Sequence, residues 1–242
     1  MARFFVSADI MQDNFIVLTG ENAAHARVLR LKNGEHVTVC DGSGEECCCT
    51  VSDVSSDQIC LVVDKRLASS SEAAVKASVY VAFSKGDKLE HVIQKATELG
   101  AYEIVVFPSA RCISKPDDKS IKKKLERWQK IAASAAEQSG RGYVPNVLVM
   151  DSYVSALCRA AESDLSILFY ENEQATTLRM ALGKQYKTIS LLTGPEGGFE
   201  PSEVQQAVEH GLAVCTLGKR ILRCETAPLC ALSAVMYDSG EF

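Results

Sequence analysis

The chain has 242 residues, of which 47% are hydrophobic and 24% charged, and its formal net charge is −5. These values are typical of a globular protein with one large domain or two smaller ones, and the acidic total argues against a general nucleic-acid-coating protein. No stretch approaches the roughly 20 consecutive apolar residues of a membrane span. The N-terminal MARFFVSADI also lacks the features of a signal peptide. We therefore expect a cytoplasmic protein.

The first seventy residues predict a small all-β domain. Short strands are separated by turns, and the turn DGSG at residues 41–44 has the glycines that a hairpin needs for positive φ. Closing so many short strands favours a small β-barrel, which we assign to residues 1–70. The predicted strands are FFVS, FIVLTG, HVTVC, EECCCTVSDV and QICLVVDK, and the predicted helix is ENAAHARVLR.

Ten cysteines occur in the chain, but no two have the C-x-x-C spacing of zinc ribbons and redox sites. Cys47, Cys48 and Cys49 are consecutive, so along a strand they point to alternate faces and cannot jointly hold a metal. We expect neither a metal site nor disulfides. The expected role of five others is that of small apolar side chains in the core: Cys40, Cys60, Cys158, Cys215 and Cys230.

Residues 68–74, ASSSEAA, are small, polar and without pattern, and they predict a linker. From residue 75 to residue 242 strands and helices alternate, which predicts an α/β domain with a mostly parallel sheet and helices on both faces. The predicted strands are VKASVYVAF, EIVVFP, NVLVM, SILFY, TISLL and AVCTL, and the helices include GDKLEHVIQKATELG, KSIKKKLERWQKIAASAAEQSG and APLCALSAVMYD.

Two of these helices carry readable signals. In the first, Asp87 is placed to cap the start and Gly100 to end the helix. The second has an apolar stripe with its lysines mostly outside it, formed by Ile121, Leu125, Trp128, Ala132 and Ala135.

The segment from Arg111 to Arg141 contains nine basic residues, including Lys115, and four acidic ones, including Asp117. This surplus of positive charge could face phosphates. From charge alone, a solvated helix face is the simpler explanation.

Two loops follow predicted strands of the parallel sheet and precede helices: TGPEGGFEPSEV and LGKRILRCETAP. Ligands of such sheets gather at the carboxyl ends of the strands. Glycines let a backbone pass close to a ligand, and one glycine would suffice for a simple turn, whereas the first loop has three. The spacing matches neither a P-loop nor a dinucleotide-binding fingerprint, so we expect a ligand other than a pyrophosphate.

The second loop has an ordinary explanation and a functional one. Thr226 is placed to cap the following helix, but a cap leaves Arg223 and Glu225 without a role. No recognisable nucleophile–base motif accompanies them. Spacing alone does not decide between the two explanations.

GPEGGF followed by LGKRILRCETA resembles the signature of the RsmE family, the 16S ribosomal RNA uridine-N3 methyltransferases of the SPOUT superfamily. The resemblance covers essentially the whole chain, because RFF, HARVLRLKNGEHVTVCDGSG, KGDKLEHVIQKATELG, SAR and AAEQSGRGYVP occur in family order. The run Cys47–Cys49 departs from the family pattern, as does Cys112, where the family pattern has a hydroxyl residue.

The resemblance implies an N-terminal PUA-like β-barrel that binds RNA and a C-terminal α/β methyltransferase domain with a deep trefoil knot. Pattern arguments could not have produced a knot, since threaded chains are rare. It further implies S-adenosylmethionine as cofactor, 16S rRNA in the small ribosomal subunit as partner, and a homodimer formed through the knot domain. No membrane and no metal are involved.

By the same resemblance, the two loops wrap the cofactor, with main-chain groups holding the adenine and the amino-acid moiety. The implied cofactor-binding residues are Leu168, Tyr170, Glu171, Thr193, Gly194, Pro195, Glu196, Gly197, Gly198, Leu217, Gly218, Ile221, Leu222, Arg223, Thr226 and Ala227.

Uracil N3 carries a proton that must leave before or during methyl transfer. We expect Arg223 to stabilise negative charge on a uracil oxygen, and Glu225 or Glu196 to orient the loop or accept the proton; Glu225 could equally be a structural partner of an arginine. The expected RNA-binding residues are Arg3, His25, Arg27, Arg30, Lys85, Lys88, Arg111 and Arg141.

Two alternatives remain open. One is a SPOUT methyltransferase of another base or RNA, and the other is a non-catalytic ribosome-assembly factor that binds RNA.

Overall fold

The computed structural model describes residues 1–113, 118–183 and 185–242. Lys115 and Asp117 of the basic segment lie outside the described residues. The chain divides into two compact units, one of Met1–Glu72 with Ala136–Val144, the other of Ala73–Ala135 with Pro145–Phe242. Residues 136–144, which the sequence assigned to the second domain, thus pack with the first unit.

The first unit is built on a five-stranded sheet of order β1-β3-β4-β5-β2, in which β1 and β3 are parallel and the other pairs antiparallel. Four strands match the predicted ones closely, α1 overlaps the predicted helix, and β1 begins and ends two residues before the predicted FFVS. Their bounds are β1 Ala2–Phe5, β2 Phe15–Thr19, α1 Gly20–Val28, β3 His36–Cys40, β4 Glu45–Val54 and β5 Gln58–Ala68, with a short 3-10 helix at Ile10–Gln12.

Alternation along the strands produces the core of this unit. Phe4, Ile16, Val37 and Leu61 are buried together on one face of the sheet. On β4, Cys47 and Cys49 are buried whereas Cys48 is only partly so, which confirms that the three cysteines alternate between faces.

The expectation that five cysteines fill the core is confirmed for Cys40 and Cys215 and wrong for Cys158 and Cys230, which are exposed. Cys158 and Cys230 both lie on helices, at residues 153–160 and 227–238. Only one face of each helix is buried, so a cysteine on the opposite face is exposed to solvent. Cys60 is intermediate.

The segment 68–74 is more firmly held than a linker. The Arg141 side chain donates to Glu72 Oε2 from Nε at 3.1 Å and from Nη2 at 2.6 Å. The backbone N–H groups of Gly142 and Tyr143 donate to Glu72 Oε1 at 3.1 and 3.2 Å. Arg141 is only 4% exposed, so this ion pair fastens residues 136–144 within the first unit.

The second unit is a six-stranded parallel sheet of order β11-β9-β10-β6-β7-β8, as predicted. Its strands are β6 Lys76–Ala82, β7 Glu103–Phe107, β8 Asn146–Val149, β9 Leu165–Phe169, β10 Thr188–Thr193 and β11 Ala213–Cys215. Its helices are α2 Lys88–Glu98, α3 Asp118–Ser139, whose last turn belongs to the first unit, α4 Tyr153–Ala160, α5 Leu178–Ala181, α6 Pro201–Glu209 and α7 Ala227–Asp238.

The helix signals are confirmed in part. Gly100, with φ +94°, follows the end of α2, and Trp128, Ala132 and Ala135 form the buried stripe of α3. Asp87 occupies the N-cap position of α2, but its side chain makes no capping hydrogen bond. Among the described residues, no helix combines the length and the hydropathy that crossing a membrane requires.

The Arg141–Glu72 pair generates a prediction about stability. Arg141→Met keeps an apolar stem of similar length but leaves the Glu72 carboxylate without its charged partner. Because Arg141 is buried while the Glu72 side chain is 23% exposed, we expect the first unit to lose roughly 2–3 kcal/mol. Hydrogen exchange of β3–β5 peptides, followed by mass spectrometry, measures the loss.

The control is Lys65→Met, which removes one cation from an exposed position of β5 and should change stability by about 0.5 kcal/mol or less. Equal hydrogen-exchange rates in Arg141→Met and Lys65→Met would show that the Arg141–Glu72 ion pair does not hold residues 136–144 in the first unit.

Candidate active site

A cavity of about 450 Å³ lies at the carboxyl edge of the parallel sheet. Three loops that follow β9, β10 and β11 surround it, because parallel strands that are neighbours end at the same edge. This volume is in the range of small-molecule sites. The lining residues are Lys88, Phe169–Glu171, Thr193–Gly198, Thr216–Glu225 and Ala227.

Of the residues predicted to bind a cofactor, all but two line this cavity. Leu168 is fully buried within β9, and Thr226 is exposed beside the cavity. Thr226 is the N-cap residue of α7, but its hydroxyl makes no capping bond, so the ordinary explanation of this residue is wrong. The three predicted catalytic residues, Arg223, Glu225 and Glu196, all line the cavity.

Sequence reasoning missed several lining residues. Four of them lie within or directly before the second loop, among predicted positions: Thr216, Lys219, Arg220 and Cys224. Phe169 also lines the cavity and lies between the predicted residues Leu168 and Tyr170. Lys88 is different, because it comes from the start of α2 and had been assigned to RNA binding. No local signal connects it with the loops after β10 and β11.

The GPEGGF loop needs its glycines because its own neighbours are close. A Cβ on Gly194 would lie 3.2 Å from the ring of Phe199, and one on Gly197 would lie 3.1 Å from Cβ of Arg111. Gly198 has φ +67°, and a Cβ there would lie 2.2 Å from Oε1 of Glu171. The loop therefore lacks side chains at these positions partly because Phe199, Arg111 and Glu171 pack against its backbone.

Phe199 anchors the end of this loop. Its side chain is 1% exposed, stacks on Phe107 with ring centroids 6.4 Å apart, and contacts Tyr153 at 5.9 Å. Such rings combine a large buried apolar area with a defined geometry. The loop is thereby fixed to β7 and α4 before any ligand binds.

Glu203 of α6 connects the same loop with residues 109–111. Its buried carboxylate accepts hydrogen bonds from the backbone N–H of Ala110 and of Glu200, both at 2.9 Å, and from the Ser109 hydroxyl at 3.3 Å. These bonds offset the cost of burying a charge.

Arg111 extends the link from residues 109–111 to the GPEGGF loop. Its Nη1 donates to the Gly197 carbonyl at 3.0 Å, and its Nε lies 3.7 Å from Glu200 Oε1. Cys112, which departs from the family pattern, accepts from the Ser109 N–H through its sulfur at 3.2 Å. The sulfur thus serves as the acceptor that a hydroxyl would provide.

Two carboxylates and a lysine meet at the rim of the cavity. Lys88 Nζ lies 3.0 Å from Glu196 Oε1 and 3.8 Å from Glu225 Oε2. Glu196 Oε1 also accepts from the backbone N–H of Lys85 at 3.0 Å. The Cys224 thiol donates to Glu225 Oε2 at 3.2 Å.

These contacts set the protonation states. Partial burial pushes the pKa of Glu196 upward, but the bonds from Lys85 and Lys88 outweigh it and lower the pKa below its ordinary value. The pKa of Glu225 is lowered by its own backbone N–H and then by Cys224 and Lys88, against desolvation. Burial raises the pKa of Cys224 to about 11. The carboxylates are therefore ionised and the thiol is neutral at neutral pH.

Arg223 differs from these groups. It is exposed, and within residues 1–113, 118–183 and 185–242 no hydrogen bond or ion pair engages its guanidinium. Its backbone carbonyl accepts from Thr226 and Ala227 at 2.8 and 2.9 Å, which ties it to the start of α7. The side chain is free to meet a ligand while its backbone is held.

The predicted RNA-binding residues divide into those that are partly or fully buried and those that are exposed. Arg141 is a correction, because its guanidinium is buried against Glu72 and cannot meet a phosphate. Arg3 is also largely occupied: Nη1 lies 3.1 Å from Glu46 Oε2, with 14% of the side chain exposed. His25 Nδ1 lies 2.7 Å from Glu137 Oε1.

Arg27, Arg30, Lys85 and Arg111 are exposed. Arg27 donates to the Ser56 carbonyl, and Arg30 has φ +56°, which is uncommon for a residue other than glycine. In the part of the chain that the structure describes, no three His, Cys, Asp or Glu side chains group as a metal site requires.

Both units match families of RNA methyltransferase domains. Residues 71–236 match the family described as RNA methyltransferase domain, and residues 18–64 match the one described as RNA methyltransferase PUA domain.

The more specific relatives span the full chain. Ribosomal RNA small subunit methyltransferase E of Bacillus subtilis (strain 168) is 38% identical, with 99% of this chain and 97% of that protein covered. The protein of the same name from Mesomycoplasma hyopneumoniae (strain 232) is 31% identical, with 98% and 100% covered. The chain belongs to the ribosomal RNA small subunit methyltransferase E family, which confirms the resemblance to the RsmE family.

A crystal structure supports this assignment. The ribosomal RNA small subunit methyltransferase E of Neisseria gonorrhoeae, bound to S-adenosyl methionine, superposes with a TM-score of 0.88 at 32% identity, covering 98% of this chain and 97% of that one. The predicted fold class, an α/β methyltransferase domain with an N-terminal PUA-like domain, is confirmed.

Proposed function

We propose that this chain transfers a methyl group from S-adenosylmethionine to N3 of a uridine in the 16S rRNA of the small ribosomal subunit. The observation that carries the proposal is the cavity itself, which is bordered by main chain from two glycine-containing loops. Its residues belong to the segment that matches the RNA methyltransferase domain family.

The residues of the cavity fit such a cofactor. Thr193–Gly198 and Leu217–Gly218 present backbone N–H and C=O groups for the adenine and the amino-acid moiety, while Leu217, Ile221 and Leu222 supply apolar walls. Tyr170 and Glu171 close the side formed by β9. When bound, S-adenosylmethionine supplies an electrophilic methyl group on a sulfonium.

Arg223 is the residue to which we assign the largest catalytic contribution. Uracil N3 lies on the Watson–Crick edge, so the base must be unpaired or flipped out to reach the cavity. Loss of the N3 proton leaves negative charge on the uracil oxygens. The free guanidinium of Arg223 can donate to one of them and stabilise that charge.

Glu196 and Glu225 orient their loops in this scheme. A general base works best with a pKa near the operating pH, whereas the pKa values of both carboxyls are held low. Each carboxylate also has a protein partner. Their contacts therefore favour positioning over proton removal, and the N3 proton passes to solvent water.

The exposed cations of each unit serve RNA in the proposal: Arg27 and Arg30 in the PUA-like domain, Lys85 and Arg111 in the methyltransferase domain. Phosphate contacts of this kind fix the orientation of the RNA. A large rRNA offers enough phosphates for a modest basic track to suffice despite the net charge of −5.

A trefoil knot, a homodimer through the methyltransferase domain and a cytoplasmic location complete the proposal. The meeting of the loops after β9, β10 and β11 supports the knot. The exposure of the aromatic rings of Tyr237 (74%) and Phe242 (67%) supports burial against a second copy. The cytoplasm is where ribosomal RNA is available.

The test is methyl transfer from labelled S-adenosylmethionine to small ribosomal subunits that lack the modification, with the product nucleoside identified by mass spectrometry. Label in 3-methyluridine supports the proposal. Label in another nucleoside would show that the methylated atom is not uridine N3. Binding of the cofactor without methyl transfer would favour the alternative that the protein is a non-catalytic ribosome-assembly factor.

Arg223→Ala should lower kcat by about 10²–10³-fold, because one preorganised donor to a developing anion is lost. Its affinity for S-adenosylmethionine, measured by calorimetry, should stay nearly unchanged. Arg179→Ala, which removes an exposed arginine of α5 outside the cavity, serves as control. Loss of cofactor affinity in Arg223→Ala would instead make Arg223 a cofactor-binding residue.

Gly198→Ala and Gly211→Ala form a matched pair, since both glycines have positive φ, +67° and +84°. Each substitution should cost about 1 kcal/mol of stability through that backbone conformation. Only a Cβ on Gly198 meets Glu171, whereas one on Gly211 has nothing within 4 Å.

We therefore expect similar losses in melting temperature, but a loss of S-adenosylmethionine affinity of roughly tenfold only in Gly198→Ala. Equal affinities would show that displacing the Glu171 carboxylate from this loop does not disturb the cofactor site.

A further inference from the structure

We infer that Lys88 is a positioning residue of the active site, which links the GPEGGF loop to the loop of Arg223 by binding Glu196 and Glu225 together. The inference rests on the proposed function and deepens it. It replaces the role in RNA binding that the sequence suggested for Lys88.

The geometry places the Lys88 ammonium between the two loops. Nζ lies 3.0 Å from Glu196 Oε1, 3.8 Å from Glu225 Oε2 and 3.8 Å from Cys224 Sγ. Glu196 belongs to the loop after β10, and Cys224 and Glu225 to the loop after β11. One side chain from α2 thus contacts both loops that border the cavity.

An alternative role for this lysine is contact with an RNA phosphate. The side chain is 32% exposed, and its nearest charged partners are carboxylates within the protein. A phosphate would have to compete with both of them for the same ammonium. The engaged geometry therefore favours an internal role.

The two carboxylates depend on Lys88 to different degrees. Glu196 keeps a second donor, the Lys85 backbone N–H at 3.0 Å, so the GPEGGF loop retains an attachment to residues 85–88 without the ammonium. Glu225 has its own backbone N–H and the weakly donating Cys224 thiol. Loss of Lys88 should therefore loosen the Arg223 loop more than the GPEGGF loop.

Lys88 affects catalysis through Arg223. Glu225 lies two positions after Arg223, and its charge and that of Arg223 attract each other. Without Lys88, Glu225 has no cation other than Arg223 in this cluster, and the Arg223 guanidinium would be drawn from the cavity toward Glu225. Lys88 thus keeps Arg223 available for the substrate.

Three groups surround the Lys88 ammonium. Two are charged, the carboxylate of Glu196 in the loop after β10 and that of Glu225 in the loop after β11, and the third is the neutral Cys224 thiol. Arg223, in the same loop as Glu225, lies farther away. Lys88 stabilises the ionised form of both carboxyls. Its removal should raise their pKa values, since an adjacent cation typically lowers a carboxyl pKa by about one unit or more.

The experiment compares Lys88→Met with Lys88→Arg and with Lys95→Met. Lys95 lies on the same helix and is paired with Glu98 at 2.7 Å, so its substitution removes an equivalent charge and ion pair away from the cavity. We expect Lys88→Met to lower kcat by roughly tenfold or more, with the Kd for S-adenosylmethionine and the KM for RNA within about threefold. Lys88→Arg should restore most of kcat, and Lys95→Met should match the wild type.

A second readout does not require activity. NMR titration of the glutamate side-chain carboxyl carbons should show higher pKa values for Glu196 and Glu225 in Lys88→Met than in wild type and Lys95→Met. Because both carboxyls ionise in the acidic range, the acidic limb of the kcat profile should move to higher pH in the same variant.

Three results would overturn the inference. The first is that the pKa values of Glu196 and Glu225 are the same in Lys88→Met as in the wild type. The second is that Lys88→Met has the same kcat as Lys95→Met. The third is a raised KM for RNA at unchanged kcat, which would return Lys88 to RNA binding. An inactive wild-type enzyme would reject the proposed function, and the titration would still decide whether Lys88 binds both carboxylates.

Discussion

Parallel pairing at one edge of the second sheet is the constraint on which the site depends. Leu168, next to the end of β9, pairs with Leu192 of β10 on one side and with Val214 of β11 on the other. The three strands therefore end together, and loops that are far apart in sequence begin side by side. An antiparallel arrangement would send alternate loops to opposite edges. Leu168 serves the site by carrying this pairing, and it lies behind the cavity wall.

Close packing then gives the loops their shape. Phe199 is enclosed by Phe107 and Tyr153, and Gly194 and Gly197 pass against Phe199 and Arg111 with no room for a Cβ. Burying a large ring in this way holds the preceding backbone in one conformation. A loop that is already ordered loses little conformational entropy when a ligand binds. A larger part of the interaction free energy therefore contributes to affinity.

Within the described residues, charge at the cavity is arranged so that the Arg223 guanidinium joins no ion pair. Glu196 and Glu225 are matched by Lys88 and by main-chain N–H groups, which leaves Arg223 free to face a substrate. An active site that stabilises a developing anion needs a donor that is both charged and unoccupied. The neighbouring carboxylates would otherwise occupy it, because opposite charges a few ångströms apart attract strongly at a partly buried rim.

Much of the fold could be predicted because local patterns carry it. The expected alternation of Cys47, Cys48 and Cys49 between the faces of β4 is confirmed, and helical spacing placed Trp128 on the buried face of α3. Side-chain partnerships were predicted poorly. Thr226 sits at an N-cap position without capping, and Arg141, expected to meet RNA, is buried against Glu72. Position along the chain indicates where a side chain starts, and the packing around it decides what it contacts.

The sequence by itself determined the order of strands and helices, the two loops that border the cavity and the family to which the chain belongs, since all of these are written in contiguous residues. Tertiary structure alone decided that residues 136–144 join the first unit and that Lys88 meets Glu196, 108 positions later in the chain. The physical reason is that ion pairs and cavities depend on distances in space. Those distances are set only when the sheet has formed and brought the ends of its strands together.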